Sequence, residues 1–147
     1  MLASNYGKSE VVRELLKAHD AYGIPLMTYD VFSTADSMGS NALMLASLFG
    51  KTEVVRELLG AHDAYGTPLM TYDVFSTADS NGWNALMRAS SFGNTEVEVF
   101  GKIEVVKVLL KSHFMTPEVL ERTGNEGQDA LTIAFKYGNN EVVKLLI

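Results

Sequence analysis

The sequence predicts an all-α chain built as a solenoid of helix-turn-helix repeats. Three observations carry this. A 43-residue block is repeated: Met1–Leu43 falls on Met44–Leu86 with only 7 differences, at Asn5/Leu48, Tyr6/Phe49, Ser9/Thr52, Lys17/Gly60, Ile24/Thr67, Met38/Asn81 and Ser40/Trp83. Further copies of the block's helical stretches recur downstream, as NALMRASSFG from Asn84, DALTIAFKYG from Asp129, IEVVKVLL and NEVVKLL. Finally, each stretch is apolar along one side only, so no unit buries its stripe without a neighbour. A period between about 20 and 50 residues marks a solenoid, and about three units are needed for stability.

The stretch Asn41–Leu59 shows why each element forms. Asn41 is a helix N-cap, because its side-chain oxygen accepts from an orphan amide of the first turn. Ala42–Phe49 follows as a short helix, with Leu43, Ala46 and Ser47 at i, i+3 and i+4 giving a small or apolar face. Gly50 supplies the left-handed conformation that ends a helix. Thr52 is the expected cap of the second helix, and Glu53 suits its positive end. Val54, Val55, Leu58 and Leu59 then form an apolar stripe at helical spacing.

In chain order, Met1–Tyr6 matches the second half of a first helix. Ser9 is expected to cap a helix from about Glu10 to Tyr22, stopped by Gly23 and Pro25. The connection Ile24–Ser40 admits two readings of MTYDVF: an extended arm alternating Met27, Tyr29 and Val31, or a short helix capped by Thr28. The fourth unit favours the helix, because Thr116-Pro117-Glu118 is a strong helix start. Short helices are therefore expected at Pro117–Arg122, Tyr29–Ser33 and Tyr72–Ser76. Asp36–Gly39 and Asp79–Gly82 read as tight turns.

The third unit carries a tandem duplication, with FGNTEVEV (92–99) followed by FGKIEVVK (100–107). The second copy keeps the better stripe, so Ile103–Ser112 is the expected packed helix. Thr95–Phe100 is expected as an extra turn or bulged loop, because a glycine inside one long helix costs about 1 kcal/mol relative to alanine. The units fall at about 1–40, 41–83, 84–128 and 129–147. The first and last are incomplete, which reads as a fragment of a longer array.

The recurring pattern D-x-x-G-x-N-A-L-M-x-A-S-x-x-G-x-x-E-V-V-x-x-L-L resembles the ankyrin repeat. The first helix of that family commonly reads T-P-L-H-x-A-A-x-x-G-H, and Asn41, Ala42, Leu43 and Met44 stand where Thr, Pro, Leu and His are usual. The resemblance covers nearly the whole chain and recurs about 3.5 times. The departure is the period, 43 residues against the family's roughly 33, with the excess placed in the connection between units.

That resemblance implies a non-catalytic scaffold for a protein partner. It also implies that the two positions before each turn glycine face a concave surface and vary with the partner. Here the pairs are Asn5-Tyr6, Leu48-Phe49, Ser91-Phe92 and Lys136-Tyr137. The second member is aromatic every time, and aromatic residues are enriched at interface hot spots. The expected partner-binding set is Tyr6, Leu48, Phe49, Ser91, Phe92, Lys136 and Tyr137. The same rings read equally well as packing against the next unit. A structural spacer is the alternative function.

Composition is consistent with this class. The chain has 147 residues, 47% hydrophobic and 20% charged, with net charge −6 and pI about 5.0. That balance argues against a nucleic-acid footprint, which needs a basic face. There are no cysteines, which excludes disulfides, thiolate zinc sites and thiol chemistry. No stretch approaches the roughly 18 apolar residues of a membrane span, and no signal peptide is visible. A monomer in the cytoplasm, or else the nucleus, is the expected setting, with no cofactor.

Catalytic motifs are lacking: there is no glycine-rich phosphate loop, Gly-x-Ser-x-Gly or His-Glu-x-x-His. The pairs His19-Asp20 and His62-Asp63 have ligand chemistry, but they sit one repeat apart and recur by copying. No metal is expected. Trp83 is expected to pack on the neighbouring connection rather than to mark a site.

Overall fold

A computed structural model describes residues 8–147 of the chain. Ten helices lie in that span: α1 (Ser9–Lys17), α2 (Tyr29–Phe32), α3 (Ala42–Leu48), α4 (Thr52–Leu59), α5 (Tyr72–Ser76), α6 (Ala85–Ser90), α7 (Glu96–Lys111), α8 (Pro117–Leu120), α9 (Ala130–Lys136) and α10 (Asn140–Leu146). Extended pairing among the described residues is limited to two isolated bridges, His19 to Pro25 and His62 to Pro68. The chain is an all-α repeat solenoid.

Two rows of helices form the stack. The first helices α3, α6 and α9 pack in sequence, and the second helices α1, α4, α7 and α10 form the parallel row behind them. The core lies between the rows. It takes Leu43, Met44 and Ala46 from α3, Val54, Val55 and Leu58 from α4, and their copies Leu86, Met87, Ala89, Val105, Val106 and Leu109 from the next unit. Ala46, Ala89 and Ala134 are fully enclosed, and their small size is what lets neighbouring helices approach.

The cap asparagines also join elements across each unit. Asn41 Oδ1 accepts from the Met44 amide at 3.0 Å, and its Nδ2 donates to the Val74 carbonyl at 3.0 Å. Asn84 repeats both bonds with Met87 and Val119, again at 3.0 Å. The connections do carry short helices, each capped by a threonine: Thr28, Thr71 and Thr116 accept from Val31, Val74 and Val119. Their ends fall slightly earlier than expected at Phe32 and Leu120.

A five-residue turn is reused throughout. Asp36 Oδ1 accepts from the Met38 and Ser40 amides, and Asp79 Oδ1 from those of Asn81 and Trp83. Gly39 and Gly82 supply the positive φ of 77° and 76° at the fourth position. These turns stack into a ladder, with Ser80 N–H donating to Met38 O at 2.9 Å and Asn125 N–H to Asn81 O at 2.8 Å. Trp83 packs beside Gly124, where a β-carbon would lie 2.7 Å from the indole.

Three expectations are corrected. First, α1 ends at Lys17, not near Tyr22, because Asp20 starts another of these turns and accepts from the Tyr22 and Ile24 amides. Asp63 does the same with Tyr65 and Thr67, so the aspartates of the His-Asp pairs are occupied in holding loops.

Second, Ser9 and Thr52 are first helical residues, not caps. The caps are Lys8 and Lys51, without side-chain bonds, and Thr52 Oγ1 donates instead to Gly101 O at 3.3 Å. Third, the duplicated segment is neither a loop nor an extra turn. Residues 96–111 form one helix that runs through Gly101.

Candidate partner-binding face

The expected contact residues sit at the ends of the first helices, beside the turns into the second row. Tyr6 lies outside the described residues. Leu48 and Phe49 are half-buried at the end of α3, and Phe49 precedes Gly50, whose φ of 66° makes the turn. Lys136 and Tyr137 end α9 in the same way before Gly138, φ 70°, and both are exposed.

The third unit departs from this geometry. Ser91 follows α6 in an extended conformation, φ −80° and ψ −177°, whereas its counterparts Leu48 and Lys136 are the last residues of α3 and α9. Ser91 is buried at 6% relative exposure, and its hydroxyl donates to Arg88 O at 2.7 Å. Its side chain is therefore turned inward, not presented. Phe92 swings out to 57% exposure, and its ring centroid lies 6.3 Å from that of Tyr137 in a tilted pair. Aromatic pairs favour such offset or tilted arrangements at 4.5–7 Å. The Lys136 ammonium lies 5.7 Å from the Tyr137 ring, within range of a cation–π attraction.

Lys102 holds this corner together, a role the sequence does not announce. Its side chain is 1% exposed, and Nζ donates to Ser91 O at 3.2 Å, Ser91 Oγ at 3.1 Å and Phe92 O at 2.6 Å. Asn139 Nδ2 adds bonds to Ser90 O and Ser91 O at 2.9 and 2.8 Å. Asn139 thereby satisfies the last carbonyl of α6, Ser90 O, which would otherwise be orphaned, and Lys102 pins the two residues that follow the helix. Burial pushes the Lys102 ammonium down to about 8, against the opposing pull of Glu98. The signal that could have exposed it is positional: Lys51, Lys102 and Asn139 each follow a turn glycine or its copy.

A second polar cluster borders the face. Arg88 donates through Nε to Asp79 Oδ2 at 2.8 Å, pairs with the same oxygen through Nη2, and lies 5.0 Å from the Trp83 ring. It fixes the turn ladder against α6. No arrangement of nucleophile, base and oxyanion donors is formed by these residues. Among the described residues there is no group of three potential metal ligands, and no helix is long and apolar enough to cross a membrane.

The comparisons agree with the architecture. The family model for ankyrin repeats, in three copies, matches residues 1–99 and 69–147. The chain belongs to the ankyrin repeat family. Repeats of this family are generally protein–protein interaction modules and typically not enzymes. The solved structures similar to this ankyrin array include a chain of the crystal structure of the yeast ribosomal protein Rps3 in complex with its chaperone Yar1. That match has a TM-score of 0.72 and 23% identity, covering 98% of this chain and 85% of the other. The crystal structure of EF0377, an ankyrin repeat protein, matches with a TM-score of 0.64 and 21% identity, covering 98% of this chain and 60% of the other. At these identities the likeness establishes the fold alone. No curated protein sequence matches.

Proposed function

We propose that this ankyrin array is a non-catalytic scaffold that binds a protein partner along the row Leu48, Phe49, Phe92, Lys136 and Tyr137. Tyr6, outside the described residues, holds the equivalent place in the sequence of the first unit, and Ser91 supports the row from within. The observation that carries the reading is the Phe92–Tyr137 ring pair, solvent-facing and 6.3 Å between centroids. Two aromatic rings left in water, with a cation over one of them, offer the large amphipathic contact area that interfaces favour. The similar structure of a chaperone bound to a ribosomal protein supports a protein as the class of partner. The protein is proposed to act as a monomer in the cytoplasm or nucleus, without a nucleic-acid ligand.

Affinity capture with the wild-type chain and with a Phe92→Ser/Tyr137→Ser double variant tests this. The expected result is a specific partner retained by wild type and lost by the folded double variant. Equal retention by both would move the interface elsewhere. A wild-type chain that retains nothing would favour the structural spacer.

A further inference from the structure

The second-row helices pack in sequence, and the groove between α1 and α4 recurs between α4 and α7 with different chemistry. Between α1 and α4 it is bridged: Arg13 donates through Nη2 to Glu57 Oε1 at 2.6 Å and through Nε to the same oxygen at 3.2 Å. Between α4 and α7 that bridge is missing. Arg56 is the copy of Arg13, but Val108 stands in the place of Glu57 and Lys111 in the place of Gly60. Arg56 pairs with Glu53 of its own helix instead, and Lys107 pairs with Glu104 of its own at 2.9 Å.

The result is an open groove of about 570 Å³ lined by Arg56, Leu59, Glu104, Lys107, Val108 and Lys111, with His113 at its end. Three basic side chains and one carboxylate line it, and with Glu53, the partner of Arg56, included the balance is still one net positive charge, on a chain whose net charge is −6. Lys111 also offsets the negative end of α7, which does nothing for Arg56 or Lys107. The floor, Leu59 and Val108, is apolar and half-buried.

We infer that this groove on the second-row face receives an acidic, leucine-bearing segment of a protein partner. One carboxylate of that segment takes the position that Glu57 holds in the preceding groove. A guanidinium meets a carboxylate in a fork that fixes register as well as attraction. The flanking lysines steer an acidic chain towards it, and the aliphatic floor seats its apolar side chains. The inference is independent of the aromatic row, which belongs to the first-row helices.

The test is binding of a fluorescein-labelled peptide repeating Glu-Glu-Leu to the full chain, followed by anisotropy and by amide shifts of the ¹⁵N-labelled protein. Saturable binding is expected, with shifts at residues 56–60 and 104–113 and weakening as salt is raised. Arg56→Gln, a surface change, is expected to weaken binding roughly tenfold or more. Val108→Glu, which rebuilds the Arg13–Glu57 bridge in this groove, is expected to do the same without loss of fold. Arg13→Gln and the Phe92→Ser/Tyr137→Ser variant are expected to bind as wild type, so this reading and the aromatic-row reading fail separately.

A Gln-Gln-Leu peptide that binds equally well overturns the inference. So does an absence of saturable binding, unchanged affinity in Arg56→Gln, or shifts confined to other helices. A single-stranded DNA oligonucleotide that occupies the same residues more tightly would assign the groove to nucleic acid instead, and overturn it as well.

Discussion

Gly101 lies backbone to backbone against Gly50: a β-carbon at 101 would come within 2.2 Å of the Gly50 carbonyl oxygen. The reverse approach is as tight, since a β-carbon at Gly50 would meet Glu98 O at 2.7 Å and Lys102 N at 2.8 Å. The long helix α7 crosses the turn of the preceding unit here, and only two glycines allow the crossing.

Gly101→Ala therefore sets two effects against each other. Alanine in a helix interior gains about 1 kcal/mol by propensity. Forcing a methyl into closed space costs about 1–3 kcal/mol, and the obstacle here is backbone, which cannot rotate away. A net loss of stability is expected, read as a lower urea midpoint at unchanged slope. A more stable variant would mean that α7 is broken at 101, as the sequence alone implied.

Much of the architecture was legible in the sequence. The 43-residue copy marks unit boundaries without any propensity argument, and Asn41, Thr116-Pro117 and the Asp-x-x-Gly turns each carry their own local chemistry. The third unit was not legible. Helix propensity sees Gly101 as a break, but tertiary approach to Gly50 overrides it, because the cost of glycine is small beside the cost of not packing. The orientations of Ser91 and Phe92 depend on that segment. Once α7 starts early, α6 ends extended, Ser91 turns inward and Phe92 turns out. Lys102 and Asn139, from two different units, converge on Ser91 O, which no local pattern encodes.

Asn84 and Asp129 occupy equivalent cap positions with different duties. Asn84 both accepts from Met87 and donates to Val119 O, fully buried. Asp129 is half-buried and accepts from the Thr132 amide at 2.8 Å. Asn84→Asp keeps the cap but turns a carboxylate oxygen onto a carbonyl, and is expected to cost about 3 kcal/mol or more. Asp129→Asn keeps its cap and is expected to change stability by less than about 1 kcal/mol. Thermal melts of the two variants check the contrast; equal losses would deny Asn84 its second bond.

The ring row makes a stability prediction separate from binding. Phe92, at 57% exposure, and Tyr137, at 39%, lose little by truncation. Each change to Ser is expected to cost less than about 1.5 kcal/mol, against about 3 kcal/mol or more for a core aromatic. Phe49 is half-buried and is expected to fall between. A double Phe92→Ser/Tyr137→Ser variant that unfolds would make the pair structural.

Lys102 predicts an alkaline gain in stability. In the unfolded chain a lysine titrates near about 10.4, whereas burial lowers Lys102 to about 8 in the fold. Below pH 8 both states hold the proton, so this group adds no pH dependence. Between pH 8 and roughly 10.4 the unfolded state binds more protons, and stability must therefore rise with pH. At pH 9.5 the gain relative to pH 7.5 is about 2 kcal/mol. Other groups titrate in the same range, so the useful quantity is the difference between wild type and Lys102→Met. Methionine loses the bonds to Ser91 and Phe92 at every pH, which sets a constant offset. Urea denaturation of both proteins across that range should show the gap widening in favour of wild type. A gap that stays constant or narrows would mean that Lys102 keeps its ordinary affinity for the proton, and that the ammonium reaches water.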